Sequence, residues 1–217
     1  MEMKFETAML RSYFIAGTQD IKDERPLEEV LKQALEAGIT AFQYREKGPT
    51  SLTGSQKLEL GQRLKVLCAD YQIPFIVDDD VDLAIKTRAD GIHVGQKDER
   101  VTSVIDQVGN QMFVGLSCDT PDQIQVANQI AGISYIGSGP VFPTGSKADA
   151  DPVIGVDGLA QLVKVSKLPV VAIGGITEDN ITELPKTGVA GTSVISMIAQ
   201  SDDIFRTVKT MNQTFSD

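Results

Sequence analysis

A chain of 217 residues, 41% of them hydrophobic, is long enough to bury one sizeable core, and its formal net charge of -10 argues against nucleic acid or an anionic membrane as its main partner. No apolar run approaches the ~20 residues that cross a bilayer, and the start MEMKFETAML lacks the long apolar centre of a signal peptide, so a cytoplasmic protein is expected. Cys68 and Cys118 lie far apart without a CxxC spacing, which fits reduced structural thiols, and a single histidine leaves little to activate either of them.

Short apolar runs then alternate with segments of helical periodicity. YFIA precedes a helical stretch from Pro26 to Ala37, TAFQY one from Ser55 to Tyr71, and PFIV one from Val81 to Thr87. GIHV precedes Arg100 to Val108, MFVGL precedes Pro121 to Ile130, and ISYIG precedes Val156 to Ser166. PVVAIGG precedes Asn180 to Lys186, and GTSVI precedes Ile204 to Phe215. Strands that alternate with helices pair in parallel. Eight such units in a chain of this length, with no linker or low-complexity tract, predict a single-domain (β/α)8 TIM barrel over residues 1–217, with a doubly wound open sheet as the alternative.

In a barrel, functional residues belong in the loops after the strands. The stretch QYREKG places Gln43, Arg45 and Lys47 on one face of the second strand, opposite Phe42 and Tyr44, so an amide and two cations look toward something that accepts hydrogen bonds or carries negative charge. Lys147, after the sixth strand, adds a third cation to that rim. Asp79 and Asp98, after the third and fourth strands, face them, and carboxylates beside an oxyanion are reasonable when a Mg²⁺ ion lies between, since Mg²⁺ takes one or two carboxylates plus phosphate oxygens. Asp80 and Asp82 have the simpler explanation of a helix N-cap and first turn. Gly174 to Ile176 ends an apolar strand ahead of a helix expected near Thr177, and with Ile195 and Ser196 after the eighth strand it forms a candidate phosphate cradle. The competing reading of these glycines is a tight turn that serves packing alone. His93 is assigned to the pocket lining; without a Ser-His-Asp arrangement or HExxH, neither a serine hydrolase nor a zinc hydrolase is supported.

QYREK, VDDDVDLA, DGIHVGQKD, VGLSCDT, YIGSGPVFPTGSK, VVAIGGI and SVIS, in this order and spacing from about Tyr13 to Ile198, resemble the thiamine-phosphate synthase family. The resemblance implies small-molecule substrates, a pyrimidine diphosphate and a thiazole phosphate, coupled to thiamine phosphate with release of pyrophosphate. It implies that Gln43, Arg45, Lys47 and Lys147 hold the diphosphate, that Asp79 and Asp98 bind Mg²⁺, and that Ser117 lies against the pyrimidine and the leaving group. Thr144, Ser146 and the backbone at Gly175, Ile195 and Ser196 would lie near the thiazole phosphate, with Tyr13 and His93 close to the pyrimidine. Asp78 departs from the asparagine usual in the family and removes N–H donors beside the metal. Ser146 stands where threonine is common.

Three alternatives share the barrel. A thiazole tautomerase relative uses a histidine two residues after the fifth-strand serine, where this chain has Asp119. A non-catalytic phosphate-ligand sensor would not need the metal carboxylates, and a phosphosugar isomerase would leave Arg45, Lys47, Asp79 and Asp98 idle. The loops Gly48 to Gly54 and Gly145 to Pro152 are expected to act as lids. Formation of a homo-oligomer is left open by the sequence.

Overall fold

In the computed structural model, which describes residues 3–23, 25–145 and 152–216, eight parallel strands close into a barrel in chain order. They are β1 (Ser12–Ala16), β2 (Ala41–Tyr44), β3 (Phe75–Asp78), β4 (Gly91–Val94), β5 (Phe113–Ser117), β6 (Ile133–Ser138), β7 (Val170–Ile173) and β8 (Gly191–Val194). Closure is made by β8 returning to β1, with Tyr13 level with Ser193. The open-sheet alternative is thereby set aside, because that topology leaves two unpaired edges.

Around the barrel run α1 (Leu27–Glu36), α2 (Gly54–Asp70), α3 (Val81–Thr87), α4 (Val101–Val108), α5 (Pro121–Ala127), α6 (Gly155–Val165), α7 (Ser196–Ala199) and α8 (Ile204–Thr214). Two helix starts follow directly from local chemistry. Asp80 caps α3 by accepting the Leu83 N–H at 2.9 Å, as expected for an acid just ahead of an apolar helical segment. Thr120 caps α5, Pro121 occupies its first turn, and Gln123 closes the reciprocal bond. None of these helices is long and apolar enough to cross a membrane, among the described residues.

Strand parity sorts the core into two layers. Phe14, Phe42, Tyr44, Phe75 and Val77 face outward and pack under the helices with Leu31, Leu64 and Ile136. Tyr13, Ile15, Ala41, Ile76, Phe113, Tyr135 and Val171 face inward and fill the barrel. The sorting of Phe42 and Tyr44 against Gln43 is the one expected from the period-two alternation of strands.

One element differs from expectation. The helix predicted from Asn180 to Lys186 is instead two single 3-10 turns, Ile181–Glu183 and Pro185–Thr187, and no helix begins near Thr177. Pro185 has no N–H to donate and its ring crowds the preceding turn. The Asn180 side chain also competes with helical bonding: its carbonyl oxygen accepts the Thr177 N–H at 2.9 Å and its amide donates to the Gly175 carbonyl at 2.9 Å.

Candidate active site

The carboxyl ends of the strands open into a cavity of about 460 Å³, a volume suited to small organic ligands. Arg45, Lys47, Asp78, His93, Asp98, Ser117, Thr144, Gly175, Ile195 and Ser196 all contribute to its wall, so residues from seven strand ends meet there as expected.

The two cations after β2 face carboxylates. The Arg45 Nε and the Lys47 Nζ each lie 3.4 Å from the Asp78 Oδ2, an oxygen that is buried and has no hydrogen bond of good geometry. Lys47 also reaches the Asp79 Oδ2 at 2.6 Å and the Asp98 Oδ1 at 3.5 Å. Three carboxylates, one at the end of β3 and two in the loops after β3 and β4, therefore converge on one ammonium. Their backbones are set for it. Asp98 accepts the Gly95 N–H at 2.8 Å, which folds the loop after β4 back on itself. Asp79 sits at φ 50°, the left-handed region, between a bond from its own N–H to the His93 carbonyl and a tight turn in which the Asp80 N–H reaches the Asp78 carbonyl. A non-glycine residue in that conformation stores strain, which is commonly found where a side chain must be aimed.

Charge balance decides what this cluster can bind. Among the described residues of this cluster two cations stand against three carboxylates, a net of one negative charge, which disfavours a diphosphate. Burial and the neighbouring acids Asp78 and Asp98 raise the pKa of Asp79 despite Lys47, a sign of crowded negative charge. Burial also pushes Asp98 upward, but the Gly95 N–H and Lys47 outweigh it and hold the group below the usual carboxylate range. On Lys47, burial disfavours the ammonium, yet the three carboxylates prevail and raise its pKa, so it stays charged. A divalent cation reverses the sign of the cluster. Asp79 and Asp98, both paired with the Lys47 ammonium, are the two carboxylates here that could hold a divalent cation. Among the described residues there is no group of three or more acids, histidines or cysteines placed to hold a metal ion.

Across the cavity, Gly174 and Gly175 adopt φ 96° and φ 66°. A side chain at Gly174 would run into Pro140, and one at Gly175 into the carbonyls of Phe142 and Pro143. The loop after β6 thus lies directly on the end of β7, tied by the Phe142 N–H to the Gly174 carbonyl at 3.0 Å. Close packing accounts for both glycines, and the helix expected to support a phosphate here is absent. What remains of the cradle is shape and the start of the short α7 at Ser196: Thr144, Gly175, Ile195 and Ser196 share this wall of the cavity. Ser146 and Lys147 lie outside the described residues, as does most of the expected lid from Gly145 to Pro152.

Tyr13 and Gln43 are placed differently from expectation. Neither reaches the cavity wall; both are buried inside the barrel, because their strand positions lie one layer deeper than Arg45 and Asp78. The Gln43 amide donates to the Tyr13 hydroxyl at 2.7 Å, and Tyr13 and Tyr135 share a hydrogen bond of 3.0 Å. Tyr135 in turn meets the His93 Nδ1 at 3.1 Å, and the His93 Nε2 meets the Ser117 Oγ at 3.0 Å. Residues from five strands therefore form one polar chain that ends on the cavity wall.

Three residues of this neighbourhood escaped the sequence reading. Glu46, only 7% exposed, accepts the Thr18 N–H at 2.8 Å and the Leu52 N–H at 2.8 Å, and so ties the loops after β1 and β2 to the segment that carries Arg45 and Lys47. Gln96 donates to the Ser117 carbonyl at 2.6 Å. Tyr135 was visible as an inward-facing tyrosine on a buried strand, a residue whose hydroxyl needs a partner.

The model of a protein family described as thiamine monophosphate synthase matches residues 12–198. The chain belongs to this family. It is 57% identical to a thiamine-phosphate synthase of Lactiplantibacillus plantarum over 97% of each chain, and 52% identical to one of Levilactobacillus brevis over the full length of both. Its fold matches a solved thiamine phosphate pyrophosphorylase of Pyrococcus furiosus with a TM-score of 0.82, at 33% identity and over 96% of each chain. The resemblance to this family leads one to expect an asparagine where the chain has Asp78. The geometry gives that departure a local consequence: the extra charge pairs with Arg45 and Lys47 together.

Proposed function

We propose that this chain joins 4-amino-2-methyl-5-hydroxymethylpyrimidine diphosphate to 4-methyl-5-(2-phosphoethyl)thiazole, giving thiamine phosphate and pyrophosphate. The observation that carries the reading is the convergence of Arg45, Lys47, Asp78 and Asp98, with Asp79 paired to Lys47 behind them, on one side of a cavity whose other wall holds Thr144, Gly175, Ile195 and Ser196. Two anionic groups on two substrates need two such walls. A phosphosugar isomerase would use only the second.

Asp79 and Asp98 would hold Mg²⁺, which when bound supplies positive charge to the departing diphosphate. Arg45 and Lys47 contact the diphosphate oxygens, and Lys147 takes the same role by family resemblance. The bond between the pyrimidine methylene and the diphosphate oxygen breaks with its electron pair leaving on oxygen, and the methylene cation is delocalised by the pyrimidine amino group. The thiazole nitrogen lone pair then forms the new C–N bond. No protein nucleophile is required, so the chain's contribution is electrostatic stabilisation of the leaving group and alignment of the two rings. Ser117 and His93 lie at the wall between the two halves of the cavity, where the rings would meet. Substrates this highly charged do not cross membranes unaided, which supports a reaction in the same compartment that makes them.

The test is direct. Purified protein mixed with both phosphorylated heterocycles and Mg²⁺ is expected to form thiamine phosphate and pyrophosphate in equal amounts, and omission of Mg²⁺ is expected to stop it. No product with Mg²⁺ present would overturn the reading.

A further inference from the structure

The polar chain inside the barrel has a direction, and the direction matters at its cavity end. Tyr13 and Tyr135 are fully enclosed, and burial raises both their pKa values, so each remains a phenol with one proton to give. The Gln43 amide nitrogen can only donate, and it donates to the Tyr13 oxygen. The Tyr13 proton is then left for Tyr135, and the Tyr135 proton for the His93 Nδ1. A histidine that accepts at Nδ1 carries its proton on Nε2, which faces the Ser117 Oγ. Ser117 accepts that bond and keeps its own proton to donate.

The barrel is shaped around this chain. A side chain at Gly115 would strike the Tyr135 ring and the His93 Nδ1, and one at Gly137 would come within 3.1 Å of the His93 ring. Glycines inside strands weaken a sheet, and here two of them make room for the two rings that carry the relay. The Tyr135 ring is also held by Phe113 and Phe5, with centroids at 6.4 and 5.6 Å, so its hydroxyl has little freedom to turn elsewhere.

We propose that Tyr135 is a positioning residue: through the one-way chain Gln43, Tyr13, Tyr135, His93, Ser117 it holds His93 in the Nε2–H tautomer and aims the Ser117 hydroxyl proton into the cavity. Resting on the proposed reaction, the ligand of that proton is an oxygen of the departing diphosphate. The opposite polarity, with the Gln43 amide turned over, would direct the Ser117 proton inward and present a lone pair to an anion.

Because the chain has one histidine, ¹⁵N labelling of histidine yields a single pair of ring-nitrogen signals. In wild-type protein at neutral pH without substrates, the expected spectrum has a protonated Nε2 and a bare Nδ1. A bare Nε2, or a ring protonated at both nitrogens, would overturn the proposal. In Tyr135→Phe the tautomer preference is expected to fade to a mixture and kcat to fall about tenfold, the scale of one lost hydrogen bond to a charged group, with KM for both substrates changed less than about twofold. A merely structural role would not move the tautomer signal. An unchanged Nε2–H population in the variant would overturn the role of Tyr135, and a lost preference with wild-type kcat would overturn its link to Ser117. Tyr13→Phe cuts the same chain one step earlier and is expected to give the same two changes, so the proposal stays testable if Tyr135→Phe folds poorly. The tautomer is read without substrates, so failure to make thiamine phosphate would sink the reaction and leave the spectral result standing.

Discussion

Replacing Lys47 by Met removes the ammonium on which three carboxylates converge and keeps the bulk of its stem. The lost pairs, to Asp79 at 2.6 Å, Asp78 at 3.4 Å and Asp98 at 3.5 Å, involve a lysine side chain 35% exposed, so solvent screens them. Partly exposed pairs contribute about 0.2–1 kcal/mol each, which sets the total loss near 1–3 kcal/mol. For a chain of this length, about 2 kcal/mol lowers Tm by roughly 4–8 °C. Asp98 provides the sign of the pH dependence. Its folded pKa is depressed, so its stabilising contribution is present above the ordinary carboxylate value of about 3.8 and is lost as pH falls through the folded value. The gap in Tm between wild type and Lys47→Met is therefore expected at pH 7 and should close in acid. Thermal unfolding followed by circular dichroism at both pH values is the assay. Mg²⁺ should restore part of the lost Tm at pH 7, because a cation bound only to the folded state stabilises it by mass action. Equal Tm values at pH 7 without metal would refute the convergence of charge on Lys47.

The remaining predictions concern neighbouring positions. Asp78→Asn removes a charge lying 3.4 Å from each cation, about 6.5 Å from a diphosphate oxygen held by them, where Coulomb repulsion is on the order of 1 kcal/mol per unit charge; KM for the diphosphate should fall by roughly tenfold in steady-state kinetics, and a rise in KM would count against the charge balance. Asp79 has a raised folded pKa, so its favourable contribution exists below the unfolded value and is lost as pH rises through the folded one. Asp79→Asn, a residue tolerated at positive φ, should accordingly match or exceed wild-type Tm at pH 7 while losing most activity, and a clear drop in Tm would contradict the strain and crowding described for it. Gly115→Ala places a methyl group against Tyr135 and His93 and should cost about 1–3 kcal/mol in urea unfolding; a neutral substitution would mean the rings are not packed as described.

Much of the architecture was legible because strand and helix periods differ. Inward and outward residues of β2 and the closed barrel follow from counting alternations, and the acid at Asp80 marks a helix start by local chemistry alone. Where local rules compete, reading failed: Asn180 and Pro185 turn an apparent helix into two short turns. Depth along a strand was also hidden. Gln43 and Arg45 share a face, yet the two-residue step between them separates a buried hydrogen-bonding layer from the cavity wall. The pairing of Asp78 with both cations depends on how far β2 and β3 are staggered, a three-dimensional quantity that spacing in one strand does not contain.

The most direct test of the leaving-group site is equilibrium binding of pyrophosphate to the substrate-free protein with and without Mg²⁺. Because the described residues of the cluster carry one net negative charge, the protein is expected to bind pyrophosphate at least tenfold more tightly with Mg²⁺, and the gain should vanish in Asp79→Asn/Asp98→Asn. Equal affinity without the metal, or a gain retained in the double variant, would contradict the assignment of these two carboxylates.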